Sequence, residues 1–293
     1  MIRRAVALIA LIAFSCVLVP LIGQAPGNAA AQLIGGRVHE SFSPADGKVF
    51  ILVMGNDARV GNPDESRADA IHIVGINTKT GEAGILNFPR DSYLPVPGHG
   101  SMKVNESLYA GGPDLVAKTL EDETGIRLDY WVMTGFIGFE KIVHDLGGVK
   151  MDVPYSMDDY GSGADLKAGV QVLEPGEALA FNRTRKTLPN GDIDRSTNQG
   201  LFLLALLEQL QSETADDPAA VLKWMSIARK WTRFDIPPDE MFRLGVLASQ
   251  IPRSQVKAQT VPVTIGSAGL ASVVYIQPGA DALYNRLKRT GSL

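Results

Sequence analysis

Charge in this chain arrives in short clusters, and the clusters sit where runs of apolar residues begin or end. Lys48 to Met54 is followed by Gly55-Asn56-Asp57-Ala58-Arg59, and Ala83 to Phe88 by Pro89-Arg90-Asp91. Ala70 to Ile76 is preceded by Arg67-Ala68-Asp69. Further clusters are Lys103-Val104-Asn105, Arg183-Thr184-Arg185 and Asp192-Ile193-Asp194-Arg195. Short apolar runs bounded by glycine, proline or charge read as strands buried on both faces. Such strands need a covering layer on each side, which commits the chain to α/β layering with its polar groups gathered at strand ends.

The remaining periodicity fits that frame. Thr78-Lys79-Thr80-Gly81 has turn chemistry and predicts a hairpin between Ala70–Ile76 and Ala83–Phe88. Further strands are expected at Trp131–Thr134, around Met151 and Val153, at Val256–Val261 and at Ser272–Ile276. Helices are expected at Asp114–Thr124, Phe136–Leu146, Gly176–Phe181, Asp194–Ser212, Pro218–Arg229 and Pro238–Ser249. Strands and helices interleave, so the expected fold class is α/β: a single domain over residues 47–293, with a central mixed β-sheet flanked by helices. If the first two strands run in opposite senses, Asp57 and Asp69 meet at one edge of the sheet. The Leu201–Leu210 segment is apolar almost all round and reads as a buried helix.

The first 23 residues differ in kind. Arg3 and Arg4 precede a predominantly apolar run from Ala5 to Ile22, about the length that spans a bilayer, with the positive charge placed for a cytoplasmic N-terminus. Two readings stand: an N-terminal membrane anchor over residues 1–23, or a signal peptide cleaved near Ala29-Ala30-Ala31. Both export the chain, and residues 24–46, small and polar, read as a linker. The one cysteine, Cys16, lies inside the apolar run, so the exported part cannot rest on disulfides.

Composition narrows the function. A formal charge of −4 argues against a nucleic-acid-binding surface. The four histidines show no metal-ligand spacing, and no nucleophile elbow, phosphate-binding loop or dinucleotide fingerprint is present. What remains is the clusters. Arginine forks bind phosphate oxygens bidentately and carboxylates hold hard divalent ions, so a site that carries both suits a pyrophosphate with its metal. For Asp57 and Asp69 two readings are open from the residues alone, as metal ligands or as a turn cap and a surface ion-pair partner. Among the arginines Arg90 stands out, between Pro89 and Asp91 at the end of a buried strand.

In order and spacing the clusters resemble the LytR-CpsA-Psr family, whose enzymes move cell-wall glycopolymers from a polyprenyl-pyrophosphate carrier onto peptidoglycan. The matching positions are Gly55, Asp57 and Arg59; Arg67 and Asp69; Pro89, Arg90 and Asp91; Lys103 and Asn105; Arg183 and Arg185; and Asp192 with Arg195. The resemblance implies Asp57 and Asp69 as ligands of Mg²⁺. It implies Arg67, Arg90, Lys103, Arg183, Arg185, Arg195 and Gln199 as the pyrophosphate seat, with Arg59 either a further neighbour or a salt-bridge partner of Asp57. Arg90, Asp91 and Asp194 are the catalytic candidates, the two aspartates either as general base or as orienters of arginine. The implied reaction is attack of a peptidoglycan sugar hydroxyl on the glycan-proximal phosphorus of the lipid pyrophosphate, releasing polyprenyl phosphate at the outer face of the cell membrane, where the chain is anchored by one span. The competing expectations are a non-catalytic envelope regulator that binds polyanions or lipid pyrophosphate, and a hydrolase of the same donor. Helices near Leu201–Leu210 are implied to line an apolar tunnel for the polyprenyl tail. Asn198 departs from the pattern, since Arg-Gln is commoner at 198–199, and substrate choice is expected in the loops Tyr155–Lys167 and Lys186–Asp192.

Overall fold

The computed structural model describes residues 47–58 and 66–293. The N-terminal anchor, the linker, Cys16 and Arg59 lie outside these residues. Among the described residues no helix is long and apolar enough to cross a membrane.

The three leading apolar runs form adjacent strands, β1 (Lys48–Asn56), β2 (Ala68–Asn77) and β3 (Glu82–Asn87). β2 and β3 are the expected hairpin, and β1 runs antiparallel to β2. Short strands β4 (Tyr93–Val96) and β5 (Gly100–Lys103) pair next, and β6 (Tyr130–Gly135) joins β1 in parallel. A second group follows, β7 (Val149–Val153), β8 (Met157–Asp159), β9 (Ala164–Leu166) and β10 (Gly169–Leu173), pairing as β7–β10 and β8–β9. Finally come β11 (Arg233–Phe234), β12 (Val256–Thr260), β13 (Val263–Ala268) and β14 (Ala271–Ile276). The central sheet has six strands in the order β11-β6-β1-β2-β3-β12, and it mixes parallel and antiparallel neighbours as expected.

Strand side chains alternate between faces, so the central strands carry two apolar sets. Phe50, Leu52, Met54, Ile71, Ile73, Leu86 and Met133 share one face, and Val49, Ile51, Ile76, Ala83, Ile85 and Tyr130 share the other. Helices α1 (Glu106–Thr124) and α7 (Ala280–Thr290) cover the first face through Leu108, Leu120, Tyr284 and Leu287. Gly75 and Gly84 are direct cross-strand partners there. A Cβ on Gly75 would lie 2.7 Å from Leu287 Cδ1, and one on Gly84 2.8 Å from Leu293 Cγ, so the pair leaves the groove that seats the C-terminus.

Helices α2 (Phe136–Leu146), α3 (Pro175–Arg183), α4 (Asp192–Asp216), α5 (Ala220–Trp231) and α6 (Pro238–Gln250) complete the chain. α4 carries the Leu201–Leu210 segment and serves two cores. Leu203, Leu204 and Leu207 meet the second sheet face, while Phe202, Ala205 and Leu206 pack with β7–β10, α2 and α3. The side of α4 turned from the sheet therefore meets protein.

The expected elements were all found, most of them longer by a residue or more. β4, β5, β8 to β11, β13, α7 and the first turns of α1 were not foreseen. α1 extends back to Glu106 across a kink at Gly111-Gly112, whose φ/ψ are non-helical. Gly111, Gly112 and Pro113 are why the sequence-based helix began only at Asp114, just past that kink.

Candidate functional site

The ends of β1 and β2 bring the two leading carboxylates together. Asn56 pairs with Ala68 across a bulge, and Asp57 N donates to Arg67 O at 3.4 Å, so Asp57 and Asp69 leave the sheet at the same end. Both line a cavity of about 410 Å³. Its other walls are Arg90 and Arg195, Phe136 at the start of α2, Arg183 and Arg185 with Lys186 after α3, and Asp159, Gly161 and Ser162 from the β8–β9 turn.

One wall is a fixed ion-pair network. Arg90 Nη1 pairs with Asp69 Oδ1, and Arg90 Nε lies 3.3 Å from Asp192 Oδ1. Arg195 Nη2 lies 2.7 Å from that same oxygen and donates to Asp69 O at 3.2 Å. Asp192 and Arg195 are three apart on α4, hence on one helix face. Burial works against the Arg90 charge, but Asp69 and Asp192 more than offset it and raise its pKa. Burial likewise raises Asp192, with Arg195 and Arg90 pulling the other way, and lowers Arg195, whose gain from Asp192 is smaller. Arg90 Nε, Arg195 Nε and both carboxylate oxygens of Asp192 are buried without a well-formed hydrogen bond. Such buried unsatisfied polar atoms mark a site built for something more than its own side chains.

A second group of cavity residues carries charge outside any ion pair. Arg183 sits with its guanidinium carbon 5.0 Å from the centre of the Phe136 ring, a cation–π contact. Among the described residues Arg183, Arg185 and Lys186 make no ion pair. Their segment is held by Asp159, whose Oδ1 accepts from Gly161 N at 2.9 Å and Oδ2 from Arg185 N at 3.4 Å. Burial pushes the Asp159 carboxyl up, but backbone donors from Gly161, Arg185, Lys186 and Ser162 outweigh it and lower its pKa. Thr184, fully buried between the two arginines, meets Ser162 Oγ at 2.8 Å.

Of the residues expected at the site, the structure brings Asp57, Asp69, Arg90, Arg183, Arg185 and Arg195 to the cavity. The others lie elsewhere, each for an identifiable reason. Asp91 and Lys103 pair with each other at 3.0 Å because β4 and β5 fold back to place them side by side. Asp194 accepts from Asn190 N at 2.8 Å and Nδ2 at 3.1 Å, on a different face of α4 from Asp192. Arg67 is exposed outside the cavity, and its backbone N–H donates to Asp57 Oδ1 at 3.2 Å. Gln199 is a tie, donating to Asp69 O at 3.3 Å and Asn182 O at 3.1 Å. Asn105 is another, with its N–H on Arg90 O and its carbonyl accepting from Ala68 N, both at 3.2 Å. Asn198 is buried and accepts from the Tyr155 hydroxyl at 2.9 Å.

Sequence reasoning left Phe136, Asp159, Ser162 and Lys186 without roles, although the last three fall in the loops expected to govern substrate choice. Asp192 entered only through the family pattern. Its three-residue spacing to Arg195 was the signal that it, not Asp194, shares the arginine's face.

Asp57 and Asp69 also bear on a divalent cation. Among the described residues no group of three or more carboxylate, histidine or cysteine side chains could hold a metal alone. Mg²⁺ commonly takes one or two carboxylates and completes its shell with phosphate oxygens and water, so two aspartates in an arginine-lined cavity fit it when a phosphate is bound.

Known proteins resemble this chain in sequence and in fold. The chain is 32% identical over 257 residues to the probable cell wall biosynthesis protein LcpB of Corynebacterium glutamicum, covering 81% of this chain and 60% of LcpB. It is 32% identical over 233 residues to the regulatory protein MsrR of Staphylococcus aureus, covering 78% of this chain and 69% of MsrR. Against the polyisoprenyl-teichoic acid–peptidoglycan teichoic acid transferase TagT of Bacillus subtilis it is 36% identical over 185 residues, 60% of this chain and 56% of TagT. A solved structure of TagT bound to LI-WTA superposes with a TM-score of 0.70 at 24% identity, over 87% of this chain and 95% of that one. Another, with bound octaprenyl pyrophosphate lipid, gives 0.66 at 22% identity, over 87% and 94%. The LytR_cpsA_psr family pattern matches residues 23–289, and the chain belongs to the LytR-CpsA-Psr family.

Proposed function

We propose that this protein transfers a glycopolymer from a polyprenyl-pyrophosphate carrier to a sugar hydroxyl of peptidoglycan. The observation that carries the proposal is the division of charge in the cavity: Arg90 and Arg195 held by Asp69 and Asp192, facing Arg183, Arg185 and Lys186, which have no carboxylate partner among the described residues. A seat with surplus, preorganised guanidinium groups suits a multiply charged pyrophosphate. LcpB and TagT carry names from cell-wall assembly, and one TagT structure holds octaprenyl pyrophosphate, which supports the same substrate class.

In the proposed reaction the acceptor hydroxyl oxygen attacks the phosphorus nearer the glycan. A new P–O bond forms, the bond from that phosphorus to the bridging oxygen breaks, and polyprenyl phosphate leaves with the electron pair while the hydroxyl proton passes to water. A loose phosphoryl-transfer transition state relies on charge stabilisation and positioning. Arg90, fixed by two carboxylates, and Arg195 steady the charge developing on the leaving phosphate, and Arg183, Arg185 and Lys186 bind the ground-state anion. Asp91 and Asp194 are assigned supporting roles, Asp91 through its pair with Lys103 and its field at Arg90. Asp57 and Asp69 would hold Mg²⁺, which supplies added neutralisation of phosphate charge. The polyprenyl tail is assigned to the layer between the sheet and helices α4 and α6, where eleven apolar side chains are only partly buried. The N-terminal segment is assigned as a membrane anchor that keeps this site near lipid.

The direct test is incubation of purified protein with a pyrophosphate-linked donor and a peptidoglycan-derived oligosaccharide, with and without Mg²⁺, following released polyprenyl phosphate. Asp57→Ala and Asp69→Ala are expected to abolish Mg²⁺-dependent release while the fold persists. The name of MsrR favours a regulatory reading, which predicts donor binding without release. Binding alone, with every acceptor tried, would decide for the regulator.

A further inference from the structure

The β8–β9 turn combines a rigid backbone with an aromatic side chain that does nothing for the fold. Tyr160 is 101% exposed, while the residues on both sides of it, Asp159, Gly161 and Ser162, line the cavity. Burial stabilises a fold, and a ring left fully in water contributes none of that. Yet the turn beneath the ring is tightly held. Gly163 N and Ser162 N donate to Asp159 O at 2.8 and 3.1 Å, Gly161 N donates to Asp159 Oδ1 at 2.9 Å, and Ser162 Oγ meets the buried Thr184 hydroxyl at 2.8 Å. The turn is thereby locked to the segment that carries Arg183, Arg185 and Lys186. A Cβ on Gly161 would come within 3.6 Å of Lys186 Nζ, so the lysine amine lies beside the turn.

We infer that Tyr160 is a stacking platform for the first pyranose ring of the donor glycan, a proposal that rests on the transferase reading. On the transferase reading the sugar is bonded directly to the phosphate that Arg185 and Lys186 would bind, and the turn carrying Tyr160 is tied to that segment through Asp159 and Ser162, which line the same cavity. Tyr160 stands exposed between residues that line the cavity without lining it itself, which suits contact with the sugar and not with the phosphate. A pyranose presents an apolar C–H face and a hydroxyl edge, the same division a tyrosine ring and its hydroxyl offer. Because the turn is already hydrogen-bonded, stacking has only the two side-chain torsions of the ring left to fix.

The experiment compares two ligands on the full-length protein in detergent: octaprenyl pyrophosphate, and the same lipid carrying a single N-acetylhexosamine. Tyr160→Ala is expected to weaken the sugar-bearing lipid roughly tenfold, the scale of one aromatic contact, and to leave the bare pyrophosphate unchanged. Tyr160→Trp is expected to retain the preference for the sugar-bearing lipid. Equal affinity of wild type and Tyr160→Ala for the sugar-bearing lipid overturns the platform, as does an equal loss for both lipids, which marks a disturbed turn. A change confined to the acceptor's Michaelis constant also overturns it, by moving the ring to the acceptor. If wild type binds neither lipid, the transferase reading itself falls, and the platform with it.

Discussion

The two faces of the central sheet come from the same strands and are closed to different degrees. On the face covered by α1 and α7, twenty-two apolar side chains are buried and four more are partly buried around them. On the face covered by α4 and α6 only ten are buried, and eleven are partly buried. The first face even gives up two side chains, at Gly75 and Gly84, so that Leu287 and Leu293 can sit against the backbone. The second carries a polar pair, His72 and Asn87, with Nδ1 of His72 2.9 Å from Oδ1 of Asn87. Completed burial is what stabilises a fold, whereas apolar surface left half-covered contributes less and stays available to an apolar ligand. The comparison therefore places stability mainly on the α1/α7 face and leaves the α4/α6 face as the place for the tail that the proposed function requires.

The strongest break should come from the closed face. Leu120 is fully buried there, and Leu120→Ala is expected to cost about 3–5 kcal/mol of stability through lost burial and an unfilled cavity. Urea denaturation checks it, and a cost under about 1 kcal/mol would mean that this face is not the well-packed one.

Next in size is a pH effect from the other face. Asn87 Nδ2 donates to Thr260 Oγ1 at 3.3 Å, which leaves Asn87 Oδ1 to accept from a protonated Nδ1 of a neutral His72. Burial drives the His72 pKa from 6.5 down to about 4, against the smaller opposing effect of Asn87. The unfolded chain therefore binds this proton first, and the contribution, complete above about pH 6.5, is lost as pH falls toward about 4. The linked loss is roughly 3 kcal/mol. In His72→Met, a similarly sized apolar replacement, the fall in stability between those pH values is expected to shrink by that amount. Identical pH profiles for the two proteins would place the titration elsewhere.

Arg90→Lys tests the cavity at the end of the sheet. Lysine keeps the charge but loses the fork that reaches Asp69 and Asp192 together. Turnover is expected to fall about a hundredfold, the scale of losing one preorganised donor, with donor affinity changed much less. Parallel losses in affinity and turnover would move Arg90 from transition-state stabilisation to simple binding.

How far the sequence foretold this molecule follows from which features are local. β1, β2 and β3 were readable because each is a short apolar run with a clear stop, and the meeting of Asp57 with Asp69 followed from their antiparallel pairing. β8 and β9 span three positions each, and in β8 the second buried position is the charged Asp159, so neither carries a periodic apolar signal. The Asp159 and Ser162 contacts to the Arg183–Lys186 segment stayed hidden with them, because they exist only after tertiary packing. The Asp91–Lys103 pair depends on where the β4–β5 hairpin returns, which residue type does not encode. α4 is the instructive case. Asp192, Arg195 and Gln199 recur at spacings of three and four and so share a face, and applying that rule to the cluster would have set Asp194 apart from them.

The smallest expected effect on stability tests the comparison most directly. Leu244 lies on α6 within the loosely closed layer and is only partly buried. Truncating a side chain that already touches water removes less burial than truncating Leu120, and water or a neighbouring side chain can fill the space. Leu244→Ala should therefore cost less than about 1 kcal/mol in urea denaturation. The same substitution removes apolar surface from the layer assigned to the polyprenyl tail, weakening tail binding by up to about 0.8 kcal/mol for each methylene group that the tail no longer buries. Affinity for a long-chain polyprenyl pyrophosphate should then drop several-fold, while inorganic pyrophosphate, which has no tail, binds as before. Titrating both ligands against wild type and Leu244→Ala isolates the tail. If Leu244→Ala destabilises the fold as much as Leu120→Ala and leaves long-chain affinity untouched, the two faces are equivalent cores and the tail lies elsewhere.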